Sequence, residues 1–160
     1  MTDQFDFATE YAPAPESTDH IQIEDQYSLF INGEFVKPES GKYFSTHNPA
    51  TGEKLSEVAK ADSADVDKAV KAARKAYDST WSKMKPKERG KYIFRISRML
   101  QERSREFAII ETMDGGKPIR ESRDIDIPLA SAHFFYYAGW ADKLEYAFPG
   151  RKARPLGVAG

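Results

Sequence analysis

The chain has 160 residues, 40% apolar and 12% aromatic, enough for one ordinary domain and short for a two-domain enzyme. No run of 18 apolar residues occurs, which excludes a membrane-spanning helix, and 24 Lys and Arg against 25 Asp and Glu offer no overall argument for nucleic acid or an anionic membrane as partner. Cysteine is absent, so a disulfide framework, a zinc ribbon, an iron-sulfur site and a thiol nucleophile are excluded within these residues.

Charge is unevenly placed. Residues 1–26 hold seven acids and no Lys or Arg, leaving 24 bases against 18 acids for residues 27–160. With Pro13 and Pro15 and no periodicity, residues 1–26 read as an acidic, disordered or extended arm. Neither a basic and apolar secretory signal nor a basic transit peptide is visible, so the expected address is cytoplasmic.

From Tyr27 the pattern becomes β-rich. Leu29-Phe30-Ile31, the Asn32-Gly33 turn and Glu34-Phe35-Val36 predict a hairpin. Tyr43 to Thr46 and Leu55 to Ala59, joined through Asn48-Pro49 and Gly52, extend residues 27–59 into a β-meander. After Ala61 the period turns helical. Asp62 is the expected N-cap of a helix over about 63–78, with Val66, Ala69, Val70, Ala73 and Tyr77 as its apolar stripe. Pro86 opens a second helix carrying Tyr92, Ile93, Ile96, Met99 and Leu100. Ser104 is the expected cap of a third, which Gly115-Gly116 and Pro118 end. A fourth helical stretch over about 119–145 should kink or restart at Pro128. Leu156 to Gly160 resembles the opening of a buried strand. The segment is thus expected to be mostly α-helical with an N-terminal β-meander.

Chemistry-bearing patterns are sparse. His20, His47 and His133 fall in an arm, a turn and a helix, with no metal-ligand spacing and no triad. Neither a Gly-x-Gly-x-x-Gly nor a Walker loop is present, and Gly115-Gly116-Lys117 after a helix reads as a C-cap. Asp124 and Asp126 point to different faces of a helix and read as solvated surface. The cluster Phe134, Phe135, Tyr136, Tyr137 and Trp140 is too rich for one stripe; it reads as core packing, or else as docking against another subunit.

Taken in order, Phe30-Ile31-Asn32-Gly33-Glu34, Asn48-Pro49-Ala50-Thr51-Gly52-Glu53, Asp65 to Arg74, Glu111-Thr112-Met113-Asp114-Gly115-Gly116-Lys117-Pro118, Tyr136 to Lys143 and Pro155-Leu156-Gly157-Val158 resemble the amino-terminal third of an NAD(P)-dependent aldehyde dehydrogenase. The resemblance runs from about Tyr27 to Gly160. It implies an α/β, Rossmann-like parent of roughly three times this length, at ~100 to 200 residues per domain. It also implies a parent that oxidises an aldehyde to a carboxylic acid with NAD or NADP, and a homo-oligomer without nucleic-acid or membrane partners. The family's catalytic Cys, general base, oxyanion Asn and dinucleotide contacts match positions beyond Gly160, so this segment by itself is expected to bind no cofactor, to be inactive and to have the remainder of the dehydrogenase chain as its partner.

Two pairs of residues carry over. His47, through its backbone carbonyl, and Asp114 match a monovalent-cation site, the alternative for Asp114 being a turn residue beside the glycine cap. Ile125 and Leu129 match positions lining the substrate tunnel, the alternative being simple packing. Only Leu144 to Arg154 stand where relatives carry a longer oligomerisation arm, which together with the acidic extension is similar to a less typical branch of the family. A rival to the scaffold reading is a non-catalytic binding or assembly module that docks on full-length dehydrogenase subunits through its aromatic helix.

Overall fold

The structure, a computed structural model, describes residues 17–149. The first sixteen residues of the expected arm, the basic stretch from Gly150 and the expected strand at Leu156 lie outside the described residues.

Strands come first and helices follow, but the strands divide between two sheets and do not form one continuous meander. Gln26–Tyr27 (β1) runs parallel to Lys54–Ala59 (β5), which pairs antiparallel with Tyr43–His47 (β4). Leu29–Ile31 (β2) and Glu34–Val36 (β3) form a separate hairpin. Its turn is the one Asn-Gly favours, with φ of 56° at Asn32 and 87° at Gly33, a backbone whose twist matches the flanking strands. Phe30 and Phe35 face each other across it, ring centroids 5.1 Å apart. Sequence patterning placed Tyr27 in the meander but Gln26 in the arm, and it missed their parallel pairing because the partner lies some thirty residues away; the Ser56 hydroxyl donates to the Glu24 carbonyl at 2.7 Å and helps hold this segment.

Six α-helices follow among the described residues: Ser63–Ser79 (α1), Pro86–Glu102 (α2), Ser104–Gly115 (α3), Ile119–Glu121 (α4), Ile127–Trp140 (α5) and Leu144–Ala147 (α6). Asp62 caps α1 as expected, accepting from the Ala64 and Asp65 amides, while the Asp65 carboxylate returns to the Asp62 amide. Asp65 is buried and also accepts from the Glu39 amide, which ties the loop after β3 to the start of α1. The expected apolar stripe of α1 is only partly seated. Val66 and Val70 are exposed, and Ala69, Ala72, Ala73 and Ala76 line a shallow groove with the hairpin.

Arg103, not Ser104, occupies the N-cap of α3 and makes no side-chain cap; Ser104 is already inside the helix. Gly116 ends α3 in the left-handed conformation, φ 70°, with its amide on the Thr112 carbonyl, so the C-cap reading of the glycine pair holds. The break expected at Pro128 lies just upstream of it. Residues Ser122–Asp126 form a π-helical turn closed by the Ile127 amide on the Ser122 carbonyl, and Pro128 opens α5. Proline brings no N–H to the ladder, so the widened turn falls where an α-helical bond cannot form.

The principal interhelix contact is α2 against α5, antiparallel, with Gly90 opposite Ala138 and Ser97 opposite Ser131. Ser97 Oγ donates to the Ser131 carbonyl at 2.9 Å and Ser131 Oγ to the Ser97 carbonyl at 3.1 Å, so both buried hydroxyls are satisfied. A Cβ at Gly90 would lie 2.9 Å from the Ala138 carbonyl oxygen, closer than side-chain carbons approach. This seam takes the place expected for Tyr92, Ile96 and Met99, which stay exposed.

Candidate functional site

The π turn is fastened to its surroundings at both ends. At its first residue, Ser122 is fully buried and its hydroxyl accepts from Thr112 Oγ1 on α3 at 3.1 Å. At its last residue, the Asp126 carboxylate accepts from Lys117 Nζ at 2.5 Å, and the same ammonium lies 3.5 Å from Glu111 Oε1. The Asp126 carboxylate, and behind it Glu111, hold the Lys117 ammonium above its usual pKa against a smaller opposing effect of desolvation. The second Glu111 oxygen, Oε2, is enclosed and finds no hydrogen-bond partner among the described residues. Asp126 is therefore not free surface as its spacing suggested. Its partner sits nine residues back, across the Pro118 corner, where a periodic reading does not look. Asp124 does belong to the surface, paired with Arg123, which lowers its pKa.

Ile125 lies inside the π turn and Leu129 in the first turn of α5; they are 56% and 50% exposed. The expected pair of His47 and Asp114 is also exposed in each member. His47 ends β4 at a register shift, and Asp114 stands two residues before the αL cap. Their segments meet: a Cβ at Gly116 would lie 3.0 Å from Pro49 Cβ, so the Asn48-Pro49 turn packs on the end of α3. Asn48 shapes that turn through its side-chain oxygen, which accepts from the Ala50 amide at 3.0 Å. Among the described residues no three His, Cys, Asp or Glu side chains cluster as a metal centre, and any cation here would depend on backbone oxygens.

The aromatic stretch of α5 does not form a core within this chain. Phe134, Phe135, Tyr136, Tyr137 and Trp140 are all exposed, with Phe135 against Phe94 at 5.4 Å and Tyr136 edge-on to Tyr137 at 5.3 Å. Their hydrophobicity suggested burial; the seam with α2 instead uses the small residues beside them. The buried apolar side chains among the described residues are Pro38, Ala59, Ala108 and Ile109, against twenty-two large exposed ones.

The junction between β5 and α1 does not suit a dinucleotide phosphate. β5 enters α1 through Lys60, Ala61 and Asp62 without a glycine, and the amides at that helix start are taken by Asp62 and Asp65, whose negative charge opposes a phosphate.

Three comparisons with known proteins agree with this architecture. The model of the Aldehyde dehydrogenase family matches residues 35–160. Aldehyde dehydrogenase family 2 member B4, mitochondrial, of Arabidopsis thaliana is 42% identical over 139 residues, 86% of this chain and 26% of the relative. Retinal dehydrogenase 2 of Homo sapiens is 38% identical over 157 residues, 91% of this chain and 30% of the relative. The NAD+ complex of an aldehyde dehydrogenase from Bacillus cereus superposes with a TM-score of 0.71 at 41% identity, covering 74% of this chain and 24% of that one. The chain thus spans between about a quarter and three tenths of the length of the curated relatives it matches.

Proposed function

The chain belongs to the aldehyde dehydrogenase family, and on that premise we propose that it is the amino-terminal scaffold of an enzyme that oxidises an aldehyde to the carboxylic acid with NAD or NADP. The surplus of uncovered apolar surface carries this reading, since the described residues present twenty-two large apolar side chains to solvent against only a few small or medium ones buried, more than a self-contained domain leaves uncovered. The remainder of a dehydrogenase chain is the occupant we assign to those faces, in keeping with the share of its relatives that this chain spans.

Acyl transfer in this family proceeds through a thiolate, and these 160 residues contain no cysteine, so the segment by itself is inactive. The nicotinamide cofactor, which supplies the hydride acceptor when bound, is held outside the described residues. This chain's own contribution is shape. Ile125 and Leu129 form part of the wall along which an apolar aldehyde passes, and the His47 carbonyl with the Asp114 carboxylate offers hard oxygens to a monovalent cation. The acidic arm, expected over residues 1–26 but already joined to β5 at Glu24, Asp25 and Gln26, the dehydrogenase unit expected from residue 27, a homo-oligomeric parent and a cytoplasmic address belong to the same reading.

The 160 residues expressed alone should bind a hydrophobic dye and reduce no NAD with any aldehyde, and supplying the rest of the dehydrogenase chain should suppress the dye signal. A dye-silent monomer, or turnover by the segment, would sink the proposal. Suppression by already complete subunits would favour the assembly module instead.

A further inference from the structure

We infer that Lys117 is a positioning residue for the aldehyde chain: through Asp126 it fixes the π turn that aims Ile125. The inference rests on the tunnel reading of Ile125 and Leu129 proposed above. A π turn holds one residue more than an α turn, so reverting it to α geometry would rotate the residues on one side by about 100° relative to the other, at 3.6 residues per turn. Such turns are marginal by themselves and persist where outside contacts determine them. Here side-chain hydrogen bonds fasten the turn at each end: Thr112 on Ser122, and Lys117 on Asp126. Ile125 lies between them and is 56% exposed, so its own packing does little to choose its direction.

The pin at Asp126 is the more exposed of the two. Lys117 and Asp126 side chains are 38% and 31% accessible, and Glu111 stands behind the ammonium as a second carboxylate, which keeps Lys117 at this corner. Releasing Asp126 frees the turn's last residue while leaving the Ser122 pin in place. The consequence falls on whatever contacts Ile125, which for a short aldehyde is little and for a long apolar one is a stretch of methylenes.

The test uses the full-length dehydrogenase that carries this segment, with acetaldehyde and octanal as probes. Lys117→Met and Asp126→Asn should each raise the KM of octanal relative to acetaldehyde by about threefold, the scale of losing one partly exposed ion pair, with kcat moving less. Lys117→Arg should restore the ratio, because it keeps a cation at the corner. Ile125→Ala should shift the same ratio by about tenfold. If Ile125→Ala shifts it and neither Lys117→Met nor Asp126→Asn does, the positioning role is overturned and the tunnel reading stands. If Ile125→Ala leaves it unchanged, the tunnel reading falls and this inference falls with it. Should Lys117→Met fail to fold, Asp126→Asn, nearly identical in shape, carries the decision.

Discussion

Helix α5 is seated on one side and uncovered on another. Toward α2 it brings Ser131 and Ala138, which let the two backbones approach until Ser97 and Ser131 exchange hydrogen bonds and Gly90 lies under the Ala138 carbonyl. Beside that seam it carries Tyr136, Tyr137 and Trp140, whose rings touch each other and remain exposed. Burial in this chain therefore follows how closely backbones can approach, and the most hydrophobic side chains are left for a surface that another part of the parent covers in the proposed reading.

Breaking the seam should cost the most. Gly90→Val drives side-chain carbon into the Ala138 carbonyl, and we expect a loss of about 3 kcal/mol in chemical denaturation, well above the ~1 kcal/mol that a non-glycine residue can regain in helix propensity. Ser97→Ala removes the hydroxyl that donates to the Ser131 carbonyl while the Ser131 hydroxyl keeps its bond to the Ser97 backbone carbonyl, for about 1 kcal/mol; adding Ser131→Ala should cost less than a second equal step, because the two form one buried network. On the uncovered side the same measurement should barely move. Tyr136→Ser with Tyr137→Ser should change stability by about 0.5 kcal/mol or less while clearly reducing dye binding, and a large stability loss would show that these rings already form a core.

The smallest effect concerns charge. Lys54 and Ser45 hold Glu57 below its usual 4.5, Arg103 does the same for Glu106, and Arg123 holds Asp124 below 3.8. Each contributes stability that is present above those ordinary values and lost as pH falls through the lowered ones. Lys117 runs the other way: raised above 10.5, its contribution is full below that value and disappears as pH climbs through the raised one. All four are solvent-accessible, so the denaturation midpoint should drift only slightly at both ends of the pH range, and less in high salt. A drift unaffected by salt would contradict the surface placement of these pairs.

Much of the local structure was legible because its causes lie within a few residues. Asn32-Gly33 dictates its hairpin, Asp62 with Asp65 caps α1, Pro86 starts α2 and Gly116 ends α3, each through the φ it tolerates or the amide it can satisfy. The candidate site was legible only in part. Ile125, Leu129, His47 and Asp114 came from motif resemblance, and the packing of Pro49 on Gly116 brings the two cation segments together. The linkage of Lys117 to Glu111 and Asp126 and the burial of Ser122 went unnoticed, since no periodicity links an ammonium to a carboxylate around a proline corner.

By itself, then, the sequence determined the hairpin turn, the starts of α1 and α2 and the end of α3, and by its motifs the family to which they belong. The tertiary structure decided that β1 joins β5 in parallel, that Gly90 and Ser97 rather than Tyr92 and Ile96 face α5, and that the chain widens into a π turn before Pro128. The physical reason is common to all three. Each is settled by contacts beyond a residue's immediate neighbours, the π turn together with the amide that Pro128 lacks, where close approach and the pairing of buried polar groups outweigh the intrinsic preference of any one side chain.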